Sequence, residues 1–218
     1  MFQASYLDVK FAFVQILIRN RGPLGVFVIF FTITLIINLS FSKLDLQVFI
    51  NSLYHPTLNV IFLFFTRLVE GWFVIPLFII LLFVSWRKTL FMAIVWAVSS
   101  GIVQFLKHFV FTGFEYNRPA GNKFLTSLEQ YYWWTDDLPH YGSFPSGHTT
   151  AAFCIFLGLS LIASNKKIGT IFMVIACFVG LSRPYLSYHF LIDVTTGSFL
   201  GTGITLVGYL LLHKKLQI

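Results

Sequence analysis

Leu24-Gly-Val-Phe-Val-Ile-Phe-Phe-Thr-Ile-Thr-Leu-Ile-Ile-Asn-Leu-Ser40 runs without a single charge, with Arg19 and Arg21 before it and Lys43 after it. A helix on the surface of a water-soluble domain needs a polar face, and this one has none. At about 1.5 Å rise per residue it covers most of a hydrocarbon core of about 30 Å. The same kind of run recurs at 58–86 (interrupted at Arg67-Leu-Val-Glu70-Gly71), 89–110, 148–164, 168–181 and 190–212. Composition agrees: 57% of the 218 residues are hydrophobic and 11% charged, less than half the roughly 25% of soluble domains. The 27 Phe would leave large exposed patches on a soluble fold of this size. The expected fold is therefore all-α, a polytopic membrane bundle of six transmembrane helices with short interfacial helices, forming one domain over 1–218. Residues 1–21 place Phe2, Tyr6, Val9, Phe13 and Ile16 at helical spacing among Asp8, Lys10 and Arg19. They read as an amphipathic helix on the cytoplasmic surface rather than a leader, since the basic residues follow the apolar ones. Residues 44–53 read as an interfacial helix ending at His55-Pro56.

The net charge of +7 is arranged as pairs at the ends of apolar runs: Arg19/Arg21, Arg87/Lys88, Lys166/Lys167 and Lys214/Lys215. With six spans these pairs share one side, which holds nine Lys and Arg against Asp8 alone. The opposite side holds six against seven acids. By the positive-inside rule both termini are cytoplasmic, and the long loop at 112–144 faces the periplasm or exterior. This pattern serves a bilayer and not a nucleic-acid groove. Cys154 and Cys177 both fall in apolar runs and read as small buried hydrophobes.

The chemistry lies on the outer face. Phe144-Pro145-Ser146-Gly147-His148 opens the fourth span, with Ser146 as N-cap and free backbone N–H groups at Gly147 suited to an anion. A capped helix with an interfacial His would leave the same string. Ser182-Arg183-Pro184-Tyr185-Leu186-Ser187-Tyr188-His189-Phe190-Leu191-Ile192-Asp193 precedes and opens the sixth span. His189 and Asp193 are four apart, so on a helix they share a face, and a carboxylate on one ring nitrogen leaves the other free as a nucleophile. An Asp at the edge of an apolar span is costly enough to mark function. Arg183 is expected in the turn beside them. Lys107, which would otherwise snorkel at its span end, and Arg118 complete a set of three cations able to hold phosphoryl oxygens. One His could attack while the other protonates the leaving oxygen. Two His and one carboxylate make no convincing zinc set, so neither a metal nor another cofactor is expected.

Lys107…Arg118-Pro119, Pro145-Ser-Gly-His148 and Ser182-Arg183 followed by His189 and Asp193 resemble the three-part signature of the type-2 phosphatidic-acid phosphatase superfamily. That superfamily also includes bacterial lipid phosphatases, glucose-6-phosphatase and, more remotely, vanadium haloperoxidases. The second and third parts match in full. In the first, ten residues separate Lys107 from Arg118 where the family usually has six, as an insertion within 109–117 would produce. The resemblance covers about 56–212. It implies that His189 forms a phosphohistidine, that Asp193 orients it, and that His148 is general acid and then base. It implies a phosphate cradle of Lys107, Arg118, Arg183, Ser146 and the Gly147 backbone. The implied partner is a lipid phosphate in a bacterial inner membrane: phosphatidic acid, phosphatidylglycerol phosphate, undecaprenyl pyrophosphate or a lipid A phosphate.

Tyr116, Tyr131, Tyr132, Trp133, Trp134 and Tyr141 in the long loop read as an interfacial aromatic belt. Gly197-x-x-x-Gly201 reads as a helix-packing motif. A lipid phosphotransferase would use the same His–Asp pair. A phospholipid transporter is the non-enzyme alternative, but it would place ionisable groups near the midplane, whereas here they gather at span ends apart from Arg67 and Glu70.

Overall fold

The structure, a computed structural model, describes residues 13–135 and 137–218. The amphipathic helix expected over 1–21 therefore lies largely outside the described residues, although 13–19 are helical. From there the chain forms α1 (Arg21–Ser40), α2 (Lys43–Ser52), α3 (Pro56–Arg67), α4 (Gly71–Val84) and α5 (Trp86–Phe105), which continues into a wider π-type turn over Leu106–Val110. After the long loop, which holds the four-residue helix α6 (Lys123–Thr126), come α7 (Gly147–Ile162), α8 (Lys166–Tyr185) and α9 (Leu191–Leu216). The described residues contain no strand.

Among the described residues, four helices are long and apolar enough to cross a membrane: α1, α5 with its extension to Val110, α8 and α9. They correspond to the runs expected at 24–40, 89–110, 168–181 and 190–212. The run at 148–164 falls on α7 and the interrupted run at 58–86 on α3 and α4, which are shorter apolar helices meeting at residues 68–70. α2 and α3 meet at 117°, the bend falling at His55-Pro56. Local chemistry explains these boundaries. Ser42 accepts from the Asp45 N–H to start α2, and His55 Nδ1 accepts from the Thr57 N–H to start α3, with Pro56 in its first turn. Ser85 receives the Lys88 N–H and separates α4 from α5.

α7 is the central rod. Ala152, Phe153, Cys154, Ile155 and Leu157 are wholly buried, and α5, α8 and α9 pack around it. Its enclosure by protein makes its length of sixteen residues tolerable. The approach of α9 depends on its glycines. A Cβ at Gly197 would lie 2.7 Å from the Ser146 carbonyl oxygen, and one at Gly201 would overlap the Thr150 carbonyl. The packing reading of Gly197-x-x-x-Gly201 follows from these contacts. That approach brings the start of α7 against the start of α9, where the Ser146 N–H donates to the Asp193 carbonyl at 3.0 Å. Elsewhere the outer surface is apolar: Ile29, Ile33 and Ile36 of α1 and Ile75, Ile79 and Phe83 of α4 are exposed, as a lipid-facing wall requires.

Two local expectations are corrected. α8 does not end at residue 181; it runs to Tyr185, so Arg183 stands in its last turn and not in a connecting loop. His189 does not lie on α9, which begins at Leu191.

Candidate active site

Four segments converge at the end of the bundle where α7 and α9 begin. A cavity of about 310 Å³ is lined there by Lys107, Arg118, Gly147, His148 and His189, and extends along Trp96, Ser99, Ser100 and Gln104 of α5. Ser146, Arg183 and Asp193 are buried behind its wall.

His189 is 1% exposed, and its two ring nitrogens have different neighbours. Nδ1 lies 3.3 Å from Asp193 Oδ2, and Nε2 accepts from Arg118 Nη1 at 3.3 Å. A guanidinium can only donate, so Nε2 carries the lone pair and Nδ1 the proton. Burial holds the His189 ring well below its ordinary value of 6.5, reinforced by Arg118, Lys107 and Arg183 and then by His148. At neutral pH the ring is therefore uncharged. Asp193 Oδ2 also accepts from the Phe190 N–H at 3.0 Å, which caps the first turn of α9, and from the Ser143 hydroxyl. The carboxylate thus organises the helix start and the imidazole together. The i, i+4 pair expected on one helical face is made instead from a residue in the bend before the helix to the first turn of the helix.

The cations reach the site from three directions. Arg118 is pinned by donation from Nε to the Tyr141 carbonyl at 2.8 Å, from Nη1 to the Tyr188 carbonyl at 3.1 Å, and from Nη2 to the Gly142 carbonyl at 3.3 Å. Lys107, in the π-type turn, donates to the same Gly142 carbonyl at 2.7 Å. The two residues that sequence separates by ten are thereby neighbours, while Phe114 of the intervening segment projects outward, exposed. Arg183 is buried; its guanidinium lies 3.9 Å over the Tyr188 ring and Nη1 donates to Thr66 Oγ1 of α3. Its Nε has no partner among the described residues, which leaves a donor for a ligand.

Ser146 and His148 take different positions at the start of α7. Ser146 is wholly buried, and its Oγ accepts from the Thr149 N–H at 3.3 Å and from Thr149 Oγ1 at 2.9 Å. Its hydroxyl is engaged as a cap, which leaves the first-turn N–H groups free at Gly147 and His148. His148 is partly exposed, on the cavity side.

Several residues that support the site were not singled out from sequence. Ser143 Oγ lies 3.3 Å from His189 Nδ1 besides its bond to Asp193. Gln47 of α2 donates to Tyr131 Oη at 2.9 Å and to the Pro184 carbonyl at 3.0 Å, and Tyr131 Oη meets Ser187 Oγ at 2.8 Å. Ser187 has φ 58°, a left-handed turn that this buried network holds. Tyr131 is thus no belt residue: it is buried, and burial raises its phenol above the usual range. Asn51 pairs with the Tyr132 backbone in both directions, at 2.8 and 2.9 Å, and clamps the long loop onto α2. An amide in a helix already half polar was the available signal for Gln47 and Asn51; nothing in the spacing marked Ser143 or Thr66.

The sequence model of the PAP2 superfamily matches residues 88–217. Among solved structures, LpxE of Aquifex aeolicus superposes with a TM-score of 0.65 at 32% identity, over 76% of this chain and 93% of that one. The transmembrane PAP2-type phosphatidylglycerolphosphate phosphatase of Bacillus subtilis superposes with a TM-score of 0.59 at 25% identity, over 86% and 94%. Curated relatives match over shorter stretches. Phosphatidylglycerophosphatase B of Bacillus subtilis (strain 168) is 41% identical over 68 residues, 34% of its length. The bacitracin transport permease protein BcrC of Bacillus licheniformis is 41% identical over 59 residues, 28% of its length. The family match covers more than half of the chain, including α5 and α7 to α9 with every residue of the cavity's reactive cluster, and the protein is an integral membrane member of the PAP2 superfamily.

Proposed function

We propose that the protein is a lipid phosphatase that works through a phosphohistidine on His189. The observation that carries this reading is the placement of His189, with Nδ1 at Asp193 and Nε2 at Arg118 beside a cavity lined by two cations and a second histidine. Nε2 attacks phosphorus in line and the bond to the lipid oxygen breaks. His148 gives its proton to that oxygen, and the lipid alcohol leaves. Water then attacks the phosphohistidine, His148 takes the water's proton, and the P–N bond breaks to release inorganic phosphate and restore both rings. Arg118 leaves Nε2 for a phosphoryl oxygen when substrate arrives. With Lys107, Arg183 and the Gly147 N–H it neutralises the charge that grows in the transition state.

A phosphomonoester or pyrophosphate on a membrane lipid fits a cavity at the end of apolar helices. The phosphatidylglycerophosphate phosphatase of Bacillus subtilis among the similar proteins agrees with that class. The distribution of basic pairs supports both termini in the cytoplasm and the cavity on the outer face of the bacterial inner membrane. The positive charge supplied by Lys and Arg removes the need for Mg²⁺, so turnover should persist in EDTA. The test is phosphate release by purified protein in detergent micelles from a panel of lipid phosphates, with no acceptor lipid and with chelator present. Release from at least one lipid supports the reading. Transfer to an added lipid without release in its absence would make the protein a phosphotransferase instead.

A further inference from the structure

Glu70 has no part in the three-part signature, yet it faces His148. It lies at the break between α3 and α4, inside a stretch where nearly every neighbour is apolar, and an acid there needs a reason. Capping is not that reason, because the Glu70 side chain makes no capping bond to α4 although it stands at the N-cap. One carboxylate oxygen, Oε2, accepts from Trp72 Nε1 at 3.0 Å. The other, Oε1, is 4.0 Å from His148 Nε2. The break is itself fastened to the site: Thr66, one turn earlier on α3, takes the Arg183 guanidinium, and Val69 lines the cavity.

We propose that Glu70 is a positioning residue for the general acid: its carboxylate is the counter-charge of the His148 imidazolium and sets the pH range over which the leaving group is protonated. This rests on the assignment of His148 as the acid. His148 is surrounded mostly by positive charge. Arg183, which Glu70 also faces, stands by it from α8, Lys107 from the π-type turn after α5, Arg118 from the long loop and His189 from the turn before α9. Asp193 on α9 is the other acid of the cluster, and it is committed to His189, Ser143 and the Phe190 N–H. Three cations oppose protonation of His148, although the acid must carry a proton before the phosphoryl group moves. A carboxylate at 4.0 Å offsets part of that field. Glu70 exchanges no proton in the cycle: the proton passes from His148 to the leaving oxygen and returns from water.

The test compares wild type, Glu70→Gln and Glu70→Asp, as purified full chains in detergent, over a pH series with phosphatidic acid and with an aryl phosphate. The alkaline limb of kcat/KM on phosphatidic acid reports protonated His148. Loss of the carboxylate lowers the affinity of that ring for a proton, so in Glu70→Gln the limb moves to lower pH, by roughly one unit for a half-exposed pair. On the alkaline side this is a loss of about tenfold. The aryl substrate, whose leaving group needs little protonation, should lose far less, and Glu70→Asp should restore most of the limb. The His148 ring titration, followed by ¹⁵N NMR in micelles, reads the same shift without turnover. An unmoved limb and an unmoved titration, with equal losses on both substrates, would overturn the proposal and leave the phosphatase reading standing. If His148→Ala loses as much in kcat/KM on the aryl phosphate as on the lipid, the parent assignment of His148 as acid fails, and the Glu70 assignment with it.

Discussion

His189 Nδ1 lies 3.3 Å from Asp193 Oδ2, although the histidine stands outside the helix that carries the aspartate. The contact exists because Asp193 bends back over its own helix start, where the same oxygen caps the Phe190 N–H and takes the Ser143 hydroxyl. One carboxylate oxygen therefore sets the start of α9, the orientation of the imidazole and the seat of the loop before α7. Its approach to α7 depends in turn on Gly197 and Gly201.

Asp193→Asn should keep the fold but lose the acceptor that selects the Nδ1–H tautomer, with a fall in kcat of about 10²-fold or more. Ser143→Ala removes one hydrogen bond to a charged group, worth about 1.5–3 kcal/mol, so a smaller loss of roughly 10- to 100-fold is expected. Initial-rate kinetics on a lipid phosphate distinguish them. Equal activity of Ser143→Ala and wild type would remove Ser143 from the support of the pair.

The lowered proton affinity of His189 has a definite sign. Burial and the neighbouring cations favour the neutral ring, so the proposed nucleophile stays available below pH 6.5 and the acid limb of kcat/KM should lie under that value. Arg118→Gln removes the nearest of those cations and should move the acid limb upward while lowering the rate. An acid limb above 6.5 in wild type would contradict the geometry around Nε2.

Helix approach is tested by two glycines on one helix. Gly201→Ala drives a Cβ into the Thr150 carbonyl and should cost about 1–3 kcal/mol, lowering Tm in detergent. Gly203→Ala meets nothing within 4 Å and should be neutral or stabilising by up to about 1 kcal/mol. Equal Tm values for the two variants would refute the close packing of α7 on α9.

Much of this arrangement was legible in sequence because both the membrane and phosphate chemistry limit the residues that can be used. Long apolar runs announced α1, α5, α8 and α9, and His55-Pro56 announced the bend before α3. The gathering of His189, Asp193, Lys107 and Arg118 was legible because the proposed phosphate chemistry needs an imidazole, a carboxylate and cations, and few such residues stand near the ends of the apolar spans. What was hidden depends on partners distant in the chain. Arg183 looked like the start of a loop, yet α8 continues through it because Thr66 and the Tyr188 ring replace water around the guanidinium. Tyr131 looked interfacial because its partner Gln47 lies 84 residues away, and no periodicity records that distance. Glu70 looked like a flaw in a span until the fold set it opposite His148.

The proposed sidedness rests on the charge pairs alone and has a direct test. A reporter fused after Ile218 should respond as cytoplasmic and one inserted beside Lys123 as external. Both reporters on one side would refute the proposed orientation and the outward-facing cavity.

The central claim is the phosphohistidine, and it is tested most directly by trapping it. His148→Ala, given an aryl phosphate labelled at phosphorus, should still be attacked by His189, because that leaving group needs little help from an acid. It should then hydrolyse slowly, because water lacks its base. After a rapid alkaline quench, peptide mapping should find acid-labile, alkali-stable label on His189, and none in the double variant His148→Ala, His189→Ala. Label at any other residue, or steady phosphate release with no labelled protein at any time, would contradict the account.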